Sequence, residues 1–171
     1  MFKPALLTPS QQLAHANLPW PFLEEGEQYR LPEPTQRQMI VSATIARTRD
    51  DFESIREQLI PKMAVKCTPK DISDVINCGF CHVFARIVSN RVAGAGIELK
   101  YTGDPFHVWL YDTLDDINYD SFYAMGTYYR DELDGGYGLG RVVDWDLDRV
   151  RVEYPLHDEL YAEVSALIKG K

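Results

Sequence analysis

The sequence predicts an α+β domain in which N-terminal helices pack on an antiparallel sheet. Helix signatures occur from residue 48 to residue 93, and strand-like alternation follows from residue 97 onward. The chain has 171 residues, of which 45% are hydrophobic, and this is enough for one sizeable core. We therefore expect an extended arm over residues 1–34 and a single α+β domain over residues 35–171.

The expected arm is rich in proline. Six of the ten prolines fall within residues 1–34, and each removes a backbone donor and disfavours helix at the residue before it. The same segment carries Trp20, Phe22 and Tyr29, for which a solvated tail has little use. We expect the arm to lie across the domain surface or across a protein partner.

Two helices are expected early in the domain, after an ambiguous stretch over residues 35–47 that fits either a short helix or a buried strand. Thr48 is a plausible N-cap, and apolar residues follow it at helical spacing as far as Pro61. Thr68 and Pro69 form a second helix-start signature, with the proline at the first helical position.

Gly79 should interrupt or restart the second helix. An apolar stripe at helical spacing follows it and ends at the glycine-rich residues 94–96. Cys81 lies at or near the start of this apolar helix.

The remaining elements are expected to be strands and one last helix. Strand patterns cover residues 97–101, 106–111, 117–120 and 141–154, the last of them broken near residues 146–148. Residues 156–168 carry apolar side chains on one helical face.

The segment from Phe106 to Ser121 reads as two alternating strands around a turn at Thr113-Leu114. This turn pairs His107 with Asp120, Val108 with Tyr119, Trp109 with Asn118, and Leu110 with Ile117. Antiparallel partners share a face of the sheet, so the hairpin should bring an imidazole and a carboxylate together.

Cys81, His107 and Asp120 together have the chemistry of a thiol enzyme. A thiol attacks only as thiolate, and both a helix N-terminus and a nearby imidazolium lower its pKa. A carboxylate on one ring nitrogen of the base fixes the tautomer and stabilises the imidazolium. The backbone N–H of Cys81 could also supply part of an oxyanion hole.

The motif G-F-C-H-V-F-A at residues 79–85 resembles the nucleophile motif of transglutaminase-like and papain-like cysteine enzymes. H-V-W-L at residues 107–110 resembles their histidine strand, and Y-D-S at residues 119–121 is similar to the aspartate that follows. The resemblance implies a compact bacterial or phage enzyme with Cys81 as nucleophile, His107 as base and Asp120 as the residue that orients it. It covers about 45 residues.

One position departs from the papain pattern, since Val75 stands where the oxyanion glutamine is expected. Asn77 is a candidate for that role, and Trp109 is a candidate to shape the substrate groove.

Other interpretations of the cysteines remain open. C-G-F-C-H at residues 78–82 matches the c-type haem attachment motif, and a redox C-x-x-C pair is a further alternative. Zinc could use Cys67, Cys78, Cys81 and His82, although a second ligand pair at finger spacing is missing. For Cys67 and Cys78 a structural role is preferred. We expect no metal and no cofactor.

The expected activity is that of a hydrolase or acyltransferase on an amide or peptide bond. A net charge of −8 makes nucleic acid an unsuitable partner. No signal-peptide-like or membrane-spanning run occurs, so a cytoplasmic protein with a protein or peptide substrate is expected. The alternative is a non-catalytic binding or inhibitor module of the same fold that engages a partner through residues 1–34.

Overall fold

The structure is a computed structural model that describes residues 33–65, 68–103, 106–127 and 143–170. The predicted arm and Cys67 lie outside these residues, apart from the end of the arm at positions 33 and 34. Within the described residues, no helix is both long enough and apolar enough to cross a bilayer.

The architecture is α+β, as the sequence predicts. The helices are α1 (Gln36–Ser54), α2 (Arg56–Leu59), α3 (Ile72–Asn77), α4 (Cys81–Ala93), α5 (Leu147–Glu153) and α6 (His157–Lys169), with a 3-10 turn at Ile60–Lys62. The strands are β1 (Lys100–Gly103), β2 (Val108–Asp112), β3 (Ile117–Tyr119) and β4 (Val143–Trp145). They form one antiparallel sheet in the order β3-β2-β1-β4.

The ambiguous stretch over residues 35–47 is helical, because it belongs to α1, and the N-cap predicted at Thr48 is wrong. Thr35 begins the helix with a capping box, in which its hydroxyl and the Gln38 side chain each accept from the other residue's amide. Thr48 lies inside the helix, where its hydroxyl donates to the carbonyl of Thr44. The helix is continuous because Val41, Ile45, Thr48 and Phe52 form one buried stripe.

The second predicted helix start is displaced by three residues. Asp71 is the N-cap of α3, and its Oδ1 accepts from the amides of Ser73 and Asp74. Pro69 lies before the helix and not at its first position. Its carbonyl accepts from the guanidinium of Arg56.

Gly79 separates α3 from α4, as expected. Its φ is +158°, and a Cβ built there would lie 2.7 Å from the backbone nitrogen of Ala64. A neighbouring backbone pair, Val65 N and Cys78 O, is hydrogen-bonded at 3.1 Å. The close approach of these two segments fixes the point at which α4 begins.

The central helix is α4, which packs against β2, α1 and α6. Its buried face includes Val83, Phe84, Val88 and Val92, and these belong to the single core cluster that also takes in the sheet. The first residue of α4 is Cys81, so the packing of this helix on β2 places the cysteine against the strand that follows His107.

The predicted hairpin register is wrong by two residues. Leu110 pairs with Tyr119, and Asp112 pairs with Ile117, so the loop has four residues and not two. Asp116, the last residue of the loop, adopts a positive φ of 54° and accepts from the Tyr111 hydroxyl at 2.7 Å. A shift of two leaves every side chain on its predicted face, because sides alternate with period two.

The strand predicted over residues 141–154 is wrong beyond its first part. Only Val143–Trp145 is a strand, and Asp146 then caps α5 by accepting from the amide of Arg149 at 2.7 Å. Leu147, Val150 and Tyr154 recur at helical spacing, a signal that the alternating acidic residues obscured. The last helix, α6, agrees with the prediction to within one residue at each end.

Candidate active site

Cys81, His107 and Asp120 come together at the junction of α4 with β2 and the end of β3. All three are buried, with exposed fractions of 3%, 9% and 6% respectively. Nε2 of His107 lies 3.1 Å from Oδ2 of Asp120. Since His107 also contacts the Cys81 thiol, Nδ1 is the nitrogen left to face the sulfur.

Asp120 is held rigidly by its own chain. Its Oδ1 accepts from the amides of Phe122 and Tyr123 at 2.8 and 2.7 Å, while Oδ2 faces His107. The local turn after β3 therefore uses one carboxylate oxygen and presents the other to the imidazole. This is the arrangement that fixes both the ring orientation and the tautomer of a histidine base.

Trp109 supports the imidazole from the side. It lies on the same face of β2 as His107, and the two rings stack with centroids 5.7 Å apart and planes at 29°. Its Nε1 donates to the Asn118 side chain at 3.1 Å, and the whole residue is buried. The indole N–H is therefore engaged within the sheet, and Trp109 contacts the proposed base directly.

The electrostatics favour charge separation between the thiol and the imidazole. Burial raises the pKa of Cys81, but the hydrogen bond and charge of His107, the backbone amide of Val108 and the Tyr154 hydroxyl lower it, and the net pKa lies below its ordinary value. Burial lowers the pKa of His107, but Asp120 and Cys81 raise it to about 10. The contact between the two groups therefore favours transfer of the proton from the thiol to the imidazole.

The start of α4 places the N-terminal end of a helix at Cys81. The first amides of a helix have no partner within the helix, and no side chain caps this one at Phe80. The partial positive charge of the helix N-terminus stabilises a thiolate and a developing oxyanion alike.

Asn77 borders the same small pocket as Cys81, together with Asp120 and Ser121. The Ser121 hydroxyl donates to Asn77 Oδ1 at 3.0 Å, and the Ser73 hydroxyl donates to the Ser121 carbonyl at 3.0 Å. Asn77 Oδ1 is therefore engaged as an acceptor, and the amide nitrogen is the donor group of this side chain.

Two groups at the site were not predicted from the sequence. One is the Val108 backbone amide, which has no signature in a sequence. The other is Tyr154, at the end of α5, whose hydroxyl interacts with the thiol. Tyr154 was not considered because the region was predicted to be a strand. The helical spacing of Leu147, Val150 and Tyr154 is the signal that could have identified it.

Two observations concern the alternative in which zinc binds the cysteines and His82. These contain no cluster of three or more His, Cys, Asp or Glu side chains able to hold a metal ion. His82, one of the proposed zinc ligands, instead has its Nδ1 2.7 Å from Nδ1 of His157. Cys81 forms no disulfide.

A scan against protein-family models, a search of curated proteins and a search of solved structures each found no match for this chain. The case for a function therefore rests on the geometry and electrostatics of the site itself.

Proposed function

We propose that this domain is a cysteine-dependent hydrolase or acyltransferase with a papain-like or transglutaminase-like core, acting on an amide or peptide bond. The observation that carries the proposal is the buried Cys81, His107 and Asp120 constellation at the start of a helix. An ion pair of this kind in a purely structural role would bury two charges that an apolar pair could replace at no cost in stability.

The first half-reaction forms a thioester. The Cys81 thiolate attacks the acyl carbon, and the backbone N–H of Cys81 with the Asn77 amide stabilises the oxyanion. The carbon–nitrogen bond then breaks as the His107 imidazolium gives its proton to the departing amine. The products of this step are an acyl-enzyme and a neutral His107.

The second half-reaction regenerates the ion pair. Water or an amine attacks the thioester while His107 accepts its proton, and Cys81 departs as thiolate. Water as the acceptor gives a protease, deamidase or amidase, and an amine gives a transglutaminase or acyltransferase. In both cases Asp120 stabilises the imidazolium that forms.

The first experiment is the pH dependence of iodoacetamide alkylation of each cysteine, followed by peptide mass spectrometry. We expect Cys81 to react well below pH 7 and to lose this reactivity in His107→Ala. Cys78 serves as an internal control in the same protein.

A spectroscopic titration complements alkylation because it does not require a reagent to reach the buried thiol. The thiolate absorbance near 240 nm, taken as the difference between wild type and Cys81→Ser, reports ionisation directly. Ordinary titration of all three thiols would contradict the proposal and favour the non-catalytic binding module.

A further inference from the structure

Helix α3 contacts the turn that follows β3 through two hydrogen bonds. Ser73 and Asn77 lie four residues apart in this helix, so their side chains share a face and can reach the same neighbour. That neighbour is Ser121. The Ser73 hydroxyl donates to the Ser121 carbonyl, and the Ser121 hydroxyl donates to Asn77 Oδ1, both at 3.0 Å. The helix therefore holds Ser121 at two points.

The Ser121 hydroxyl determines which end of the Asn77 amide group faces it. Ser121 is 0% exposed, and a buried hydroxyl without an acceptor costs free energy, so its proton needs an oxygen. Asn77 Oδ1 is the acceptor that the described residues provide for it. If the amide group turned over, its nitrogen would face the hydroxyl and the proton would lose this acceptor. The orientation with the oxygen toward Ser121 is therefore the favoured one.

The orientation of this amide group matters because Asn77 and Cys81 line the same pocket. With Oδ1 bound to Ser121, the other end of the amide group is the nitrogen, and no described residue accepts a hydrogen bond from it. Attack of a thiolate on an acyl carbon places negative charge on oxygen, which a hydrogen-bond donor stabilises. An amide group turned the other way would present an oxygen to that charge and would repel it.

We propose that Ser121 is a positioning residue, which holds the Asn77 amide group with its nitrogen toward the oxygen of an acyl group on Cys81. Ser73 anchors Ser121 by donating to its carbonyl. This inference rests on the proposed function and deepens it. The turn after β3 then serves the site twice, because Asp120 contacts the imidazole and the next residue, Ser121, orients the oxyanion donor.

Two reagents for the same thiol separate the orientation of the amide group from the reactivity of the sulfur. Iodoacetamide is attacked at a saturated carbon and loses iodide, so no oxyanion forms. p-Nitrophenyl acetate is attacked at its carbonyl carbon and passes through an oxyanion before p-nitrophenolate leaves and the acetyl thioester of Cys81 remains. Both rates are measured on the full chain at one pH, with Cys81 modification followed by peptide mass spectrometry. Their ratio cancels the thiolate fraction and reports oxyanion stabilisation.

Substitutions of Ser121 and Asn77 should change the two rates differently. Ser121→Ala should slow acetylation of Cys81 about tenfold and leave its alkylation close to the wild-type rate, because the lost hydrogen bond does not involve the thiol. Asn77→Ala should slow acetylation on the order of 10²-fold, as the loss of an oxyanion donor does. Because Ser121 acts through Asn77, adding Ser121→Ala to Asn77→Ala should change acetylation little further. Ser121→Thr keeps the hydroxyl and should retain most of the wild-type ratio.

Two other serines complete the test. Ser42→Ala is the matched control, since Ser42 is buried and its hydroxyl has no hydrogen-bond partner among the described residues. It should change neither rate. Ser73→Ala loosens the anchor of Ser121 and should slow acetylation selectively, but by less than Ser121→Ala does.

The two levels of proposal fail differently. If Cys81 of the wild type reacts with both reagents only as an ordinary thiol does, the proposed function is overturned and this inference with it. If wild-type Cys81 is unusually reactive, but Ser121→Ala slows both reactions equally or slows neither, only the role of Ser121 is overturned. If Ser121→Ala does not fold, Ser73→Ala decides the matter, because selective loss of acetylation supports the positioning role and any other result overturns it.

Discussion

Nε of Arg37 donates to Oδ2 of Asp112 at 2.5 Å, and the side chain of Asp112 is fully buried. The other oxygen of the same carboxylate accepts from the amide of Leu114 at 3.0 Å, inside the β2–β3 loop. This one contact joins the first turn of α1 to the hairpin that leads to Asp120.

Arg37→Ala should lower the free energy of unfolding by about 2–3 kcal/mol, because it leaves a buried carboxylate without its charge partner. Urea denaturation measures the change. Lys62→Ala is the matched control, since Lys62 pairs with Glu163 where both side chains are about two-fifths exposed, and it should cost less than about 1 kcal/mol. Equal losses of unfolding free energy in the two variants would contradict a larger contribution from the Arg37–Asp112 pair.

Asp120→Asn should abolish most activity while preserving the fold. The amide can keep its oxygen on the Phe122 and Tyr123 amides, but its nitrogen then faces His107 Nε2 as a donor. This forces the ring proton onto Nδ1, where the base must be free. We expect alkylation of Cys81 near pH 6 to fall strongly and turnover to fall on the order of 10²–10⁴-fold. Unchanged turnover would exclude Asp120 as the orienting residue.

The contact between Cys81 and His107 predicts that stability depends on pH through two opposing contributions. The His107 pKa rises from 6.5 to about 10 on folding, so its contribution is complete below pH 6.5 and is lost as pH rises toward 10. The Cys81 pKa falls on folding, so its contribution is complete above the unfolded thiol pKa of about 8.5 and is lost at lower pH.

The two contributions have slopes of opposite sign where both groups titrate, and above about pH 8.5 only the loss of the His107 contribution remains, so stability falls there. The measurement is the unfolding free energy at pH 5.5, 7.5 and 9.5 for wild type and for the double variant Cys81→Ser, His107→Gln. The difference between the two proteins should be smaller at pH 9.5 than at pH 7.5, because the His107 contribution is lost over this range. A difference that rises steadily with pH would contradict a thiolate–imidazolium pair.

Gly79→Ala should destabilise the protein more than Gly96→Ala. Both glycines have positive φ, but a Cβ at Gly79 meets the Ala64 backbone at 2.7 Å, whereas nothing lies within 4 Å of a Cβ at Gly96. Gly96→Ala should cost about 1–2 kcal/mol from backbone strain alone. Gly79→Ala adds a backbone clash and should also slow Cys81 alkylation, because the start of α4 must shift. Equal melting temperatures would contradict this.

The sequence predicts those elements of the fold that depend on interactions between residues close together in the chain. Cys81 at a helix start and the strands at residues 108–112 and 117–119 follow from turn residues and periodicity, whereas the strand predicted over residues 97–101 is displaced to Lys100–Gly103. The hairpin register does not, because the four-residue loop depends on Asp116 at positive φ and on the Tyr111 hydroxyl. His107 and Asp120 still meet because an even shift conserves the face of each strand residue.

The less predictable half of the site comes from distant segments. Tyr154 stacks on His82, the residue next to Cys81, and His82 contacts His157 where α6 packs on α4. A local sequence pattern does not show that His82 contacts His157, which lies 75 residues away. Helix α5 was hidden because its acidic and apolar residues alternate at the start, which is equally typical of a strand.

The order of these segments along the chain has a consequence during synthesis. Cys81, His107 and Asp120 lie close together in sequence and contact one another by closing short loops, while Tyr154 follows much later. A nascent domain can bring Cys81 and His107 together before Tyr154 leaves the ribosome. Their contact can therefore form before α6 packs on α4.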